Sequence, residues 1–301
     1  MEPFSTIGLE FFKVILDGIS VGSIYAMVAL GFVLIYKATD VLNFAQGELM
    51  MFGVYFCFYL MTSHNLPFLL ALVVTILFAA ALGILTEMVF LKPLLGEPIF
   101  SMVMVTIALS MLMKSVAGLL WGHDTYAFPK FIANDPVHIL GVPVMPISLL
   151  TIGVVIIFMI VLFIFFGHSD TGLAMMATAG DQDAAKIMGI NINRMFALAW
   201  AIAAIIAGVG GILYAQSNYV YPDIGFIGLK SFPAAILGGL DSIVGALCGG
   251  LIIGLLENMV GIYLEPILGG GIKEMVAFIL LILILMVKPY GLFGTKEIEK
   301  V

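Results

Sequence analysis

Residues 146–166, PISLLTIGVVIIFMIVLFIFF, run for twenty-one positions without a charged side chain. A helix rises about 1.5 Å per residue, so a run of this length reaches across the ~30 Å hydrocarbon layer of a bilayer. The run is continuous and does not alternate apolar with polar at every second position, as a porin strand would. Working outward, comparable runs occupy 11–36, 44–62, 67–91, 99–121, 195–217, 226–240, 241–263 and 273–289. The run 226–240 is short and contains Pro233, which suits a half-helix or a re-entrant segment. These runs predict an all-α fold, a polytopic transmembrane helical bundle of about 8–9 spans with one of them short or re-entrant.

The composition agrees. Of 301 residues, 62% are hydrophobic and 10% charged. A soluble domain has about half and about a quarter. The surplus of apolar side chains cannot be hidden in one globular core, so lipid is the implied solvent. The net charge of −7 argues against nucleic acid as a partner, because phosphate binding needs a basic surface. Cys57 and Cys248 each sit in an apolar run and build neither a disulfide framework nor a metal cluster. His64, His123, His138 and His168 fall in predicted loops without metal spacing. Ser20 and Ser23 share a helix face with Asp17, but no base lies near in sequence, so the pattern is not that of an enzyme. Glu2 and Glu10 stand where a signal peptide would be basic, which predicts that the first apolar stretch is a retained span.

Orientation follows the bias of Lys and Arg toward the inner side. Placing residues 167–194 inside puts the N-terminus outside and the C-terminus inside. Lys37, Lys92, Lys186, Arg194, Lys288, Lys296 and Lys300 then lie inside, against Lys13, Lys130, Lys230 and Lys273 outside. The loops 122–145 and 167–194 are too short for a separate core, so residues 1–301 are expected to form one membrane domain. No GxxxxGK[ST] phosphate loop is present. Among the glycines, Gly18 and Gly22, Gly245 and Gly249, and Gly250 and Gly254 are spaced for close helix approach, either within the bundle or at a moving or subunit interface.

Within the inner loop, Thr171–Arg194 reads TGLAMMATAGDQDAAKIMGININR. Two short amphipathic stretches flank Gly180–Asp181. Asp181 is suited to cap a helix N-terminus, and Asp183 falls in the first turn, where the helix dipole favours negative charge. Ala184, Ala185, Ile187 and Met188 would form the body, and Gly189 would end it in a left-handed conformation. The spacing predicts a helix of about two turns outside the hydrocarbon. A helix that short is unstable alone in water. It must dock on its own membrane domain or, through Ala184, Ala185 and Ile187, in the groove of a partner.

The stretch Asp183–Gly189, DAAKIMG, is similar to the EAA-x-x-x-G loop of ABC importer permeases, with Asp in place of Glu. Residues 42–50, LNFAQGELM, resemble the LNFAQGE segment of branched-chain amino acid permeases of the LivH type. Residues 232–240, FPAAILGGL, followed by Gly245-Ala246, resemble a later motif of that family. The Ile-x-Leu-Pro element that often follows the loop in the broader class does not appear after Gly189. The resemblance covers nearly the whole chain. It implies a transport subunit in a bacterial inner membrane, among membrane lipids, with no cofactor of its own. The implied partners are a second related permease, two subunits that bind ATP and Mg, a periplasmic or lipid-anchored substrate-binding protein, and a branched-chain amino acid as substrate. Coupling to the ATPases would then fall on Asp181, Asp183, Ala184, Ala185, Ile187 and Gly189. Urea, short amides and other amino acids are alternative substrates in similar permeases.

Polar residues inside the spans are the candidates for a translocation path. Asn43 and Gln46 have the spacing of a capping box, and with Gly47 and Glu48 they could line the inner mouth instead. Glu257 lies within a span, where a carboxylate faces a pair or water. An ion-coupled carrier, the competing class, would use Glu257 and the segment broken at Pro233. Glu87 and Lys114 are expected to snorkel to the interface, and Asp241 to cap the helix that follows it.

Overall fold

A computed structural model describes residues 3–94, 96–132, 135–139 and 141–294. Lys296 and Lys300 of the orientation argument lie outside the described residues. The apolar runs become helices α1 (Pro3–Thr39), α2 (Gln46–Ser63), α3 (Phe68–Thr86), α4 (Ile99–Trp121) and α5 (Pro146–His168). After them come α6 (Asp170–Gly180), α7 (Gln182–Ile187), α8 (Ile192–Ser217), α9 (Phe226–Gly238), α10 (Ile243–Tyr263), α11 (Glu265–Leu268) and α12 (Ile272–Val287). Six helices among the described residues are long and apolar enough to cross a membrane, namely α1, α3, α4, α5, α8 and α10. The shorter α2, α9 and α12 complete the polytopic bundle.

Burial sorts the helices. The apolar window of α1 is 89% buried and that of α8 78%, against 17% for α5 and 22% for α3. A helix that is apolar all round and wrapped by others forms the core, and one that is apolar but uncovered presents its surface to lipid or to another subunit. The α1–α10 contact depends on glycine. A Cβ on Gly22 would lie 2.9 Å from the Gly250 carbonyl oxygen, and one on Gly18 would lie 3.0 Å from the Leu255 Cα. Gly245 and Gly249 admit α9 in the same way, at Gly238 and Ala234. The spaced glycines therefore serve packing within the bundle, where van der Waals contact rather than water holds helices together.

Short strands close one end. β1 (Tyr126–Ala127) pairs antiparallel with β4 (Tyr219–Val220), and β2 (Val137–Ile139) with β3 (Val142–Val144) around Gly141. The first pair ties the loop after α4 to the link after α8. Phe131 stacks on Phe68 with ring centroids 3.6 Å apart, which anchors the same loop to the start of α3.

Three local expectations differ. Asp241 does not cap α10; the Ser242 hydroxyl does, accepting the Gly245 N–H at 3.0 Å. Glu87 does not snorkel. A π-helical turn, Glu87–Leu91, continues α3 and packs on α8, leaving the carboxylate 1% exposed with neither oxygen hydrogen-bonded. Lys114 finds a partner instead of the interface, described below.

Candidate functional site: the α7 arm and the Glu48 cleft

The α6–α7 arm links α5 to α8 in sequence, and α6 packs on α1, α5 and α8. Asp181 accepts the Ala184 N–H at 2.9 Å and caps α7. Gly189 ends it at φ +85°, with the Gly189 and Ile190 amides returning to the Lys186 and Ala185 carbonyls at 3.0 Å. Cap and stop stand where the spacing predicts them, because both satisfy amide and carbonyl groups that a six-residue helix would otherwise leave free. The face differs from expectation. Ala185 turns inward and is 3% exposed, seating α7 against its neighbours α6 and α8. Ile187 and Met188 stand 85% and 81% exposed. The outward face is Ala184, Ile187 and Met188.

The second site is built where α2 begins. Asn43 and Gln46 do not form a capping box. Asn43 Oδ1 accepts the Ala45 N–H at 3.0 Å, and Asn43 Nδ2 donates to Gln46 Oε1 at 3.2 Å. Gln46 Nε2 donates to the carbonyl of Ala203, near the middle of α8, at 3.2 Å. Space for that amide exists because Gly31 of α1 has no side chain. Both residues are fully buried. They satisfy each other and fix α2 so that it starts beside the middle of α8 rather than its end. Buried amides left unpaired would each cost about 1–3 kcal/mol, which is why the pairing is complete.

Gly47 then meets the first turn of α9. A Cβ there would strike the Gly225 carbonyl, and one on Gly228 would strike the Gly47 Cα. This backbone contact places Glu48 beside Gly225, at a cleft of about 400 Å³. Phe44, Ile107, Lys114, Asp223 and Phe226 line it, and Ser110 lines it together with Glu48. Lys114 and Asp223 form an ion pair, with the side chains 49% and 66% exposed. Ionised groups on a lipid-facing helix surface are costly, so this face of α4 borders water or protein. Of the expected path residues, Glu48 opens into the cleft and Gly47 shapes it, while Asn43 and Gln46 stand behind. Ser110, Lys114 and Asp223 were not among the expected path residues. Ser110 and Lys114, four residues apart on α4, were the available signal for one polar stripe there.

Glu257 is apart from this cleft. Lys230 lies 3.7 Å from Glu257 and 3.4 Å from Glu274, joining α9, α10 and α12. Lys230, counted above among external residues, is in fact buried. Among the described residues no group of histidine, cysteine and carboxylate side chains could hold a metal.

Residues 14–286 match the family described as the permease component of branched-chain amino acid transport systems. BraD of Pseudomonas aeruginosa, a high-affinity branched-chain amino acid transport system permease protein, is 33% identical over 97% of this chain and 98% of its own. LivH of Salmonella typhimurium, described in the same words, is 34% identical over the same shares. A chain in the structure of PsaBC from Streptococcus pneumoniae in complex with Fab shares the fold, with TM-score 0.50 and 16% identity, covering 92% of this chain and 91% of that one.

Proposed function

We propose a working cycle for this chain from one premise: it belongs to the family of permease components of branched-chain amino acid transport systems. It is a multi-pass helical membrane protein and a transport subunit, not an enzyme, in an ATP-driven importer for branched-chain amino acids. The observation that carries this is identity of about one third to such permeases along almost the entire length of both chains.

In the proposed cycle the chain pairs with a second permease and stands on two ATP-binding subunits, and a substrate-binding protein delivers the amino acid from outside. The N-terminus lies outside and the C-terminus inside. The α7 arm then faces the cytoplasm, where Ala184, Ile187 and Met188 insert into a groove of the ATPase. Ala185 transmits the push to α8, and Asp181, Asp183 and Gly189 keep the lever formed. Because ATP binds the closed ATPase pair more tightly, nucleotide shifts the population of permease states. The path runs past Glu48 and Gly47, with Asn43 and Gln46 holding α2 in register. Glu257 ties α9 to α10 so that the two move together.

Co-purification from detergent extracts tests the assembly. Nucleotide-binding subunits should accompany the tagged chain. A chain that transports alone in liposomes without ATP would overturn the reading.

A further inference from the structure

We infer that the cleft beside Glu48 is a recognition site for the two charged ends of a free amino acid, with Glu48 taking the ammonium group and Lys114 the carboxylate. The inference rests on the permease reading above and adds to it which residues meet the substrate.

The chemistry of the lining is complementary to a zwitterion. An ionised carboxylate accepts about four hydrogen bonds, and Glu48 lines the cleft beside the Ser110 hydroxyl, where an ammonium group can donate to it. Lys114 has three N–H donors; Asp223 engages one side of the ammonium, and the rest remain for an incoming carboxylate. Asp223 is a positioning residue that holds Lys114 over the cleft. Lys114 and Glu48 line the same cleft of about 400 Å³. The two ends of a small molecule could therefore bridge them.

The rest of the lining is apolar. Phe44, Ile107, Phe226 and Leu229 line the cleft with the polar groups, which suits an aliphatic side chain. A volume of about 400 Å³ lies within the usual range of small-molecule sites, ~300–1,000 Å³. The backbone contact of Gly47 with Gly225 and Gly228 keeps the charged and apolar walls at fixed separation, since no side chain cushions it. A purely structural role explains the pair poorly: exposed ion pairs add little to stability, and the Lys114 and Asp223 side chains are 49% and 66% exposed.

Leucine uptake into proteoliposomes holding the complete importer, with saturating loaded binding protein outside and ATP inside, reads the site. Glu48→Gln and Lys114→Met should each lower the maximal uptake rate by about tenfold or more. Glu48→Asp and Lys114→Arg should recover it to within about threefold. ATP hydrolysis stimulated by the binding protein should persist in all four variants. Neutralised variants that carry leucine within about twofold of the unsubstituted complex would overturn the inference. So would failure of the conservative variants to recover, or ATP hydrolysis falling in step with uptake, which marks a structural role. An unsubstituted complex that assembles but carries no leucine would overturn the permease reading, and this inference with it.

Discussion

Lys230 of α9 holds its ammonium nitrogen 3.7 Å from a carboxylate oxygen of Glu257 on α10, with both side chains closed off. The pair matters because α9 is a weak helix. It has thirteen residues, and Pro233 inside it removes one backbone donor and crowds the preceding turn. Charge pairing supplies a fixed point that backbone bonding alone does not. Removing one partner strands the other in a medium that cannot solvate it. Lys230→Met should therefore destabilise the purified protein by about 3–5 kcal/mol. The double variant with Glu257→Gln should regain most of the loss. Thermal unfolding in detergent, run as a double-mutant cycle, checks both.

The contact of α2 with α9 tolerates no side chain. Gly47→Val would drive a branched group into the Gly225 carbonyl, and overpacking of this kind costs about 1–3 kcal/mol. Gly153→Ala, where a Cβ meets nothing within 4 Å, should be silent. The expected outcome is loss of monodisperse protein for the first variant and wild-type elution for the second.

Gly189 is constrained by its backbone, not by space. Its φ of +85° disfavours residues with a Cβ, yet nothing lies within 4 Å of the position a Cβ would take. Gly189→Val should cost roughly 1–2 kcal/mol locally. It should leave the chain inserted while reducing co-purification with the ATP-binding subunits. Gly189→Asn, which visits left-handed backbone more readily, should retain partial assembly. Quantitative pull-down measures the order.

Much of the fold was legible because lipid imposes length and polarity on each helix separately. The run 146–166 became α5 with its bounds displaced by two residues at most. The α7 cap and stop were legible for a similar reason: Asp181 and Gly189 act within one turn. What escaped was set by partners distant in sequence. Lys114 looks like a snorkelling residue from its own run alone, because Asp223 lies 109 residues away. Gln46 has the spacing of a local cap, yet its amide nitrogen is claimed by Ala203, 157 residues on. Asp241 and Ser242 are adjacent candidates for one cap, and only the approach of the chain decides between them. The cleft was half visible, through Glu48, because its other walls come from α4 and the link before α9.

Site-specific cross-linking tests the central claim, that the α7 arm transmits the work of a separate ATPase. Cysteine at Ile187 or Met188, the most exposed large apolar side chains of the arm, should form a bridge to the ATP-binding subunit in assembled complexes, at a yield that changes when nucleotide binds. No bridge from either position in a complex that still imports leucine, or labelling of these cysteines by an impermeant reagent from outside the cell, would contradict it.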